Sequence, residues 1–291
     1  MDALSTANGI HFDIAFLMIA YVRDNRIMHN RREFLRASIG GAACATLGSA
    51  AEPVLGMIFP PANYEVPPEA KLMYPTGIRF LAEGVGLERM TPEGYDKAVP
   101  KILPAAEKLA RQGANAISIM GTSLTFYKGA AFNNELIAQV AKATGLPATS
   151  MSRGIVEGLR AVGARRVAVA TAYNETVNGR LRVFLEESGF EVLGVKGMGI
   201  ERFEDRPPVT QDELLNFSAG AYESISKQDT SKADTLLISC GALNTLRLLD
   251  PLEKRCKVPV VSSAPHALWA SVRLLGLSGQ VKGYGRLLSR A

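Results

Sequence analysis

The chain has 291 residues, and 33 Lys or Arg against 28 Asp or Glu give it a formal net charge of only +5. A positive charge this small and this evenly spread argues against a nucleic-acid-binding surface, so we expect no nucleic-acid partner. Beyond residue 50 the only histidine is His266 and the only cysteines are Cys240 and Cys256, too few for an ordinary zinc site, so we expect no metal.

The first 50 residues have the pattern of an export signal. Arg31 and Arg32 begin the motif RREFLR, and a weakly apolar run of small residues follows as far as Ala50. A charged head, a short apolar region and a small-residue cleavage site are typical of a secretory signal. The arginine pair indicates the twin-arginine type. We therefore expect the twin-arginine export machinery as a partner and a periplasmic location, or a cytoplasmic one if the signal is not used.

The start of the chain leaves alternatives open. A disordered basic extension would also account for the arginines, and Met28 could replace Met1 as the first residue of the translated protein. The apolar stretch from Phe12 to Val22 is interrupted by Asp13 and is too short for a membrane span. We therefore expect no stable membrane insertion.

From residue 54 onward, short apolar runs alternate with helix-like segments. The predicted strands are Val54–Phe59, Ile78–Ala82, Ala116–Met120, Ala148–Met151, Arg166–Thr171, Glu191–Val195, Leu236–Ser239 and Pro259–Ser262. Helical periodicity covers Ala131–Ala143, Gly154–Val162, Val177–Glu187 and Asp212–Ser226. This alternation indicates parallel sheets built from βαβ units. No GxGxxG or GK[ST] loop follows a strand, so we expect no bound nucleotide.

The chain also repeats itself. The segment Ala114–Leu124 (ANAISIMGTSL) aligns with Ala233–Leu243 (ADTLLISCGAL), and Leu146–Ser152 aligns with Val258–Ala264. Two facing copies of one α/β unit would bring their strand ends to a shared cleft, although any two buried parallel strands have similar sequences. In this alignment Cys240 corresponds to Gly121, so the second copy has a thiol where the first has only hydrogen.

We therefore predict an α/β fold with two pseudo-symmetric lobes. Each lobe is a roughly four-stranded parallel sheet flanked by helices, and the active site lies in the cleft between them. The first lobe is expected to comprise residues 51–152 together with 265–291, and the second lobe residues 153–264.

Seven segments in matching order carry a family resemblance, namely MIFPPA, TPEGYD, MGTSLTFYKGAAFN, ATAYNETVN, LLISCGAL, VPVVSS and GYGRL. From about residue 55 to residue 288, the sequence closely resembles the arylmalonate decarboxylase family of the aspartate/glutamate racemase superfamily, which also includes maleate isomerase. Most members of that superfamily have one catalytic Cys per lobe, whereas the decarboxylase branch has Gly in the first lobe. The pair Gly121 and Cys240 resembles the decarboxylase branch.

The resemblance implies an enzyme, a carboxy-lyase that works without a cofactor on a small dicarboxylate. The expected substrates are 2-substituted malonates with an aryl or alkenyl group, which lose CO₂ to leave an enediolate. The hydroxyls of Thr122, Ser123 and Tyr173, with the backbone N–H groups of Cys240 and Gly241, would hold the enediolate oxygens, and the Cys240 thiol would protonate one face. From the residues alone, capping of the next helix accounts for Thr122 and Ser123 better than a role in the donor set does.

The resemblance also implies an apolar pocket for the departing carboxylate. Its expected members are Leu87, Met90 and Leu124, with Pro60 and Tyr95 lining the site, although all five could equally be ordinary core. Where the family has further apolar pocket residues, this chain has Phe203 flanked by Glu201, Asp205 and Arg206. If Arg206 points inward, the pocket is not fully apolar.

Two alternatives to the decarboxylase remain at this point. One is a racemase or cis–trans isomerase of the same superfamily, which Gly121 disfavours. The other is a periplasmic carboxylate-binding protein that performs no chemistry and gains nothing from the Cys240 thiol.

Overall fold

The computed structural model of the protein describes residues 51–202, 208–228 and 232–290. The predicted export signal in residues 1–50 and the pocket candidates Phe203, Asp205 and Arg206 lie outside these ranges.

The first sheet consists of four parallel strands in the order β2-β1-β3-β4. These are β1 (Val54–Phe59), β2 (Arg79–Gly84), β3 (Ala116–Ile119) and β4 (Ala148–Ser150). Every residue of β1 and β3 is buried, as expected for strands of a parallel sheet that is covered on both faces. Strand β4 ends one residue before its predicted limit because the Ser150 hydroxyl accepts the Arg153 N–H and so begins a helix.

The second sheet repeats this arrangement in the order β6-β5-β7-β8. Its parallel strands are β5 (Arg166–Thr171), β6 (Glu191–Gly197), β7 (Thr235–Ser239) and β8 (Val260–Ser262). The predicted α/β fold with two four-stranded parallel sheets is thereby confirmed. The predicted limits of the two lobes stay a prediction.

Helices connect the strands and cover the sheets. They are α1 (Pro68–Met73), α2 (Pro92–Ala98), α3 (Ile102–Arg111), α4 (Thr122–Phe126), α5 (Gly129–Thr144), α6 (Met151–Ala161), α7 (Glu175–Glu187), α8 (Gln211–Gln228), α9 (Leu249–Cys256), α10 (Ser263–Arg273) and α11 (Gly285–Ser289). The four helices predicted from periodicity are α5, α6, α7 and α8. Within the described ranges, no helix combines the length and apolar character needed to cross a bilayer.

Helices α6 and α10 form a seam that joins the two sheets. Each follows the last strand of one sheet, yet α6 also contacts β8, and α10 also contacts β3 and β4. A Cβ atom at Gly154 in α6 would lie 2.7 Å from the Ala267 Cα in α10, so only glycine permits this approach. The Ser271 hydroxyl of α10 adds a 2.8 Å hydrogen bond to Ser118 Oγ in β3.

His266 is a buried residue of α10, one of the two helices of this seam. Its Nδ1 accepts the Ser262 N–H at 3.0 Å, at the start of α10. Burial lowers its pKa to about 4, so the imidazole is neutral at physiological pH. His266 is therefore a structural residue that supports the beginning of the helix.

Candidate active site

The carboxyl ends of strands from both sheets open onto one cavity, which is the usual ligand position in parallel α/β folds. Phe59 ends β1, and the residues that follow β3, β5 and β7 complete the wall. The predicted site residues that line this cavity are Pro60, Leu87, Met90, Gly121, Thr122, Ser123, Tyr173, Cys240 and Gly241. The structure thus brings together residues from both copies of the repeat.

Cys240 lies directly after β7 and is only 5% exposed. Burial raises the pKa of its thiol to about 11, and the N–H of Ala242, the Tyr173 hydroxyl and the N–H of Leu243 oppose this rise. The thiol is therefore protonated at neutral pH and can act as an acid. The backbone N–H of Cys240 donates to Ser263 Oγ at 3.1 Å.

Thr122 begins α4 and is buried at the base of the cavity. Its hydroxyl lies 2.8 Å from Met151 Sδ and 3.2 Å from Ser263 Oγ, and it can donate to either. The hydroxyl does not cap α4, whose N-cap is Gly121, so the capping interpretation of Thr122 is wrong. Ser263 contacts both Thr122 and the Cys240 N–H, and it was missed because it lies 141 residues from Thr122.

Tyr173 follows β5 and is fixed by a 3.1 Å hydrogen bond from its N–H to Thr171 Oγ1. Its ring meets that of Phe126 edge to face at 5.8 Å. Burial raises the pKa of its phenol strongly, and negative charge on Cys240 would raise it further. The phenol is therefore a neutral hydrogen-bond donor beside the thiol.

Two of the predicted pocket residues lie behind the cavity wall. Tyr95 and Leu124 are 1% and 0% exposed and belong to the core rather than to the lining. Tyr95 packs against the Tyr127 ring at 4.7 Å, and burial raises the pKa of its phenol while the neighbouring Ser123 hydroxyl opposes this rise. Leu124 faces Gly121, where a Cβ atom would lie 3.1 Å from the Leu124 Cβ. Both residues support the wall from outside.

Glycine at two positions keeps the inner end of the cavity open. A Cβ atom at Gly121 would lie 2.8 Å from Pro60 Cγ, and one at Gly241 would lie 2.9 Å from Met151 Sδ. Contacts under 3.0 Å require the neighbour to move. Gly121 directly precedes Thr122, and Gly241 directly follows Cys240. A side chain at either glycine would therefore occupy cavity space beside these two residues.

The mouth of the cavity carries charged and aromatic residues that the sequence did not single out as lining. Arg89 Nη2 lies 3.3 Å from Glu201 Oε2, and Glu201 Oε1 accepts a 3.0 Å hydrogen bond from Asn174. The Tyr64 ring stacks on Phe59 with centroids 4.0 Å apart. Further lining residues at this end and along the wall are Pro61, Glu88, Met120, Arg202 and Ala242.

The donor set of the cavity consists of hydroxyl, phenol, thiol and backbone groups. In the described parts of the chain, no group of three or more His, Cys, Asp or Glu side chains could hold a metal ion. The arrangement can hold an anion by hydrogen bonds and deliver one proton from Cys240. These are the two tasks required when negative charge develops on carboxylate oxygens and a proton is then added to the neighbouring carbon.

Comparison with known proteins identifies the family. The family model of arylmalonate decarboxylase matches residues 55–288. Arylmalonate decarboxylase of Bordetella bronchiseptica is 43% identical over 243 residues, which cover 83% of this chain and 99% of that protein.

Solved structures agree with this match. A liganded arylmalonate decarboxylase mutant, in which one glycine is replaced by cysteine and one cysteine by serine, superposes with a TM-score of 0.77 at 42% identity over 82% of this chain and 100% of that one. Maleate isomerase from Pseudomonas putida S16 with maleate shares the fold, with a TM-score of 0.70 at 20% identity over 82% of this chain and 98% of that one. The chain is a carboxy-lyase that belongs to the arylmalonate decarboxylase family.

Proposed function

We propose that the protein decarboxylates 2-substituted malonates bearing an aryl or alkenyl group, without a cofactor, and that Cys240 alone protonates the resulting enediolate. One observation carries this proposal. Cys240, with a protonated thiol, and Gly121, with no side chain, follow corresponding strands of the two sheets and line the same cavity. A racemase needs an acid or base on each face of the carbon, and Gly121 offers none.

The first step breaks the bond between the central carbon and one carboxylate. CO₂ leaves, and the electron pair is delocalised onto the two oxygens of the remaining carboxylate. Thr122, Ser123 and Tyr173 supply hydroxyl donors to these oxygens. For Thr122 this requires that its hydroxyl hydrogen turn away from Met151 Sδ, a weak acceptor, and from Ser263 Oγ. Removing one well-placed donor of this kind costs about 3 kcal/mol of transition-state stabilisation.

The backbone contribution to this donor set differs from the expectation. The Cys240 N–H donates to Ser263 Oγ, so it is not directed at the substrate. We assign the backbone role to Gly241, which lines the cavity. Ser263 then fixes Cys240 and Thr122 relative to one another, because it contacts both.

The departing carboxylate is assigned to the apolar part of the wall. Phe59, Leu87, Met90 and Met120 line the cavity there and offer a carboxylate no hydrogen bond from their side chains. An anion in such surroundings is poorly solvated, whereas CO₂ is neutral, so loss of CO₂ relieves an unfavourable interaction.

The pH dependence of turnover reports on the thiol. Cys240 acts in its protonated form, and burial raises its pKa to about 11. We therefore expect kcat to remain high on the alkaline side of neutrality and to fall only as pH rises towards about 11. Initial rates in buffers from neutral to strongly alkaline pH check this, with circular dichroism at each pH to confirm that the protein stays folded. A fall in kcat centred near the ordinary thiol pKa of about 8.5, with the fold intact, would contradict the assignment.

A substrate panel tests the function directly. Purified protein is incubated with aryl, alkenyl and alkyl malonates, and CO₂ release is followed. Maleate and aspartate are included, because conversion of these and not of the malonates would favour the isomerase or racemase. Binding of malonates with no turnover of any compound would favour the carboxylate-binding protein.

We further propose that the chain is exported by the twin-arginine pathway to the periplasm, on the strength of the RREFLR motif. Replacing Arg31 and Arg32 together by Lys preserves the charge and removes the arginine pair. We expect the variant to accumulate as precursor in the cytoplasm. Immunoblots of periplasmic and cytoplasmic fractions decide it, and an unchanged periplasmic yield would refute export by this route.

A further inference from the structure

Glu69 is a buried carboxylate that the decarboxylation mechanism does not use. It lies in the first turn of α1 and is 6% exposed. Its Oε1 accepts two backbone hydrogen bonds, from the Thr245 N–H at 2.9 Å and the Leu246 N–H at 2.8 Å. No cation pairs with it among the described residues. Burying a charge with so little compensation is costly, which calls for an explanation.

The two N–H groups that Glu69 accepts belong to the segment that follows the thiol. Residues 240–246 leave β7, and the first three of them line the cavity. The beginning of this segment is fixed by Ser263 through the Cys240 N–H, and its far end is fixed by Glu69. The Thr245 hydroxyl adds a 3.0 Å hydrogen bond to Ser262 Oγ. Glu69 is thus one of the few anchors of this segment.

Glu69 also ties this segment to the opposite wall. Helix α1 directly follows the loop that contributes Pro60, Pro61 and Tyr64 to the cavity. The pKa of the Tyr64 phenol is raised first by burial and then by the negative charge of Glu69, and a charge on Cys240 would raise it further, because all three groups share one neighbourhood. Glu69 therefore connects the part of the cavity wall next to α1 with residues 240–246, which position the thiol.

We propose that Glu69 is a positioning residue that holds residues 240–246 so that the Cys240 thiol faces one side of the enediolate. Its role is in the stereochemistry of protonation. The inference rests on the proposed decarboxylation. The three hydroxyl donors for CO₂ loss, Thr122, Ser123 and Tyr173, lie on other segments, and only the Gly241 N–H comes from residues 240–246. Protonation of carbon forms a C–H bond, breaks the S–H bond of Cys240 and leaves a thiolate, which regains its proton from water.

Loosening the segment has a specific consequence. When the thiol is misaimed, water competes with it and delivers a proton to either face, so the enantiomeric excess of the product falls. A displacement of about 1 Å at a reacting group can cost about 100-fold in rate. A purely structural defect instead lowers the fraction of folded enzyme and leaves the enantiomeric excess unchanged, since every product molecule still comes from natively arranged protein.

The test compares variants on a prochiral 2-methyl-2-aryl malonate, with kcat, KM and enantiomeric excess measured by chiral chromatography. For Glu69→Ala we expect kcat to fall about 10- to 100-fold, KM to change little and the enantiomeric excess to fall clearly below wild type. Glu69→Gln is the conservative control, because its amide oxygen can accept both N–H groups, and it should restore the wild-type enantiomeric excess. Glu65→Ala removes an exposed carboxylate from the same stretch and should match wild type.

Glu69→Ser is a second variant that tests the same role if Glu69→Ala does not fold. Its side chain is too short to reach both N–H groups but leaves room for water to bind them, and we expect the same loss of enantiomeric excess. Folded, active Ala or Ser variants with wild-type enantiomeric excess would overturn the role of Glu69 alone. A wild-type protein that converts no malonate would overturn the proposed function as well, and this is seen before any variant is tested.

Discussion

Replacing Cys240 by Ala is expected to lower turnover of the malonate substrate by about 100- to 10,000-fold, the usual contribution of a general acid. The thiol is the proton donor that we assign to the carbanionic carbon, and it lies at the carboxyl end of β7 on the cavity wall. Ala preserves the backbone N–H that donates to Ser263. Binding of a malonate or an unreactive dicarboxylate should therefore be retained.

Cys256 provides the matched control for this experiment. It is also a buried free thiol, 8% exposed at the end of α9, and burial likewise raises its pKa to about 11. It does not line the described cavity. Cys256→Ala should therefore keep wild-type turnover. Equal turnover by the Cys240→Ala variant and wild type would show that Cys240 is not the proton donor and that both thiols are structural.

In the double variant Gly121→Cys with Cys240→Ala, we expect the handedness of the product to be reversed. Gly121 and Cys240 follow matching strands of the two sheets and line one cavity. The exchange moves the proton donor to the other face of the enediolate and leaves the three hydroxyl donors in place. Chiral chromatography of the product from a prochiral malonate should show the opposite enantiomer.

The structure also predicts that this double variant is slow. Gly121 has φ −131°, which any residue adopts, so the backbone accepts Cys. Its new Cβ, however, would lie 2.8 Å from Pro60 Cγ and 3.1 Å from Leu124 Cβ, so Pro60 must move. A thiol placed about 1 Å from its best position costs about 100-fold in rate. An active double variant that retains the wild-type handedness would show that Gly121 does not face the reacting carbon.

The sequence predicted the fold because its signals are local. Strands such as β1 and β7 are buried at every position, so they appear as continuous apolar runs. The residues after such strands are brought to one edge of the sheet by topology alone. The shared location of Thr122, Tyr173 and Cys240 could therefore be predicted without knowing any helix packing.

Other features depend on packing between distant segments and leave no local pattern. Glu69 reaches Thr245 across 176 residues, and Arg89 reaches Glu201 across 112. Tyr95 and Leu124 have large side chains in the segments of the predicted pocket, but whether such a side chain lines a cavity or supports it from behind depends on helix orientation. The sequence therefore located candidate reacting groups that line one cavity and missed the residues that hold them.

The contact of α6 with α10 has a consequence for whether the active site is formed before or after substrate binds. Helices whose backbones meet at Gly154 and Ala267 hold the two sheets in close contact, and we expect this contact to resist a hinge motion between them. Enzymes that close by domain rotation assemble their donors anew in each catalytic cycle. Here Thr122 follows a strand of one sheet and Tyr173 a strand of the other, and we expect the seam to hold their separation before substrate arrives. Charge that develops on the substrate then meets dipoles already in place, and natural variation at the cavity mouth can alter substrate choice without disturbing them.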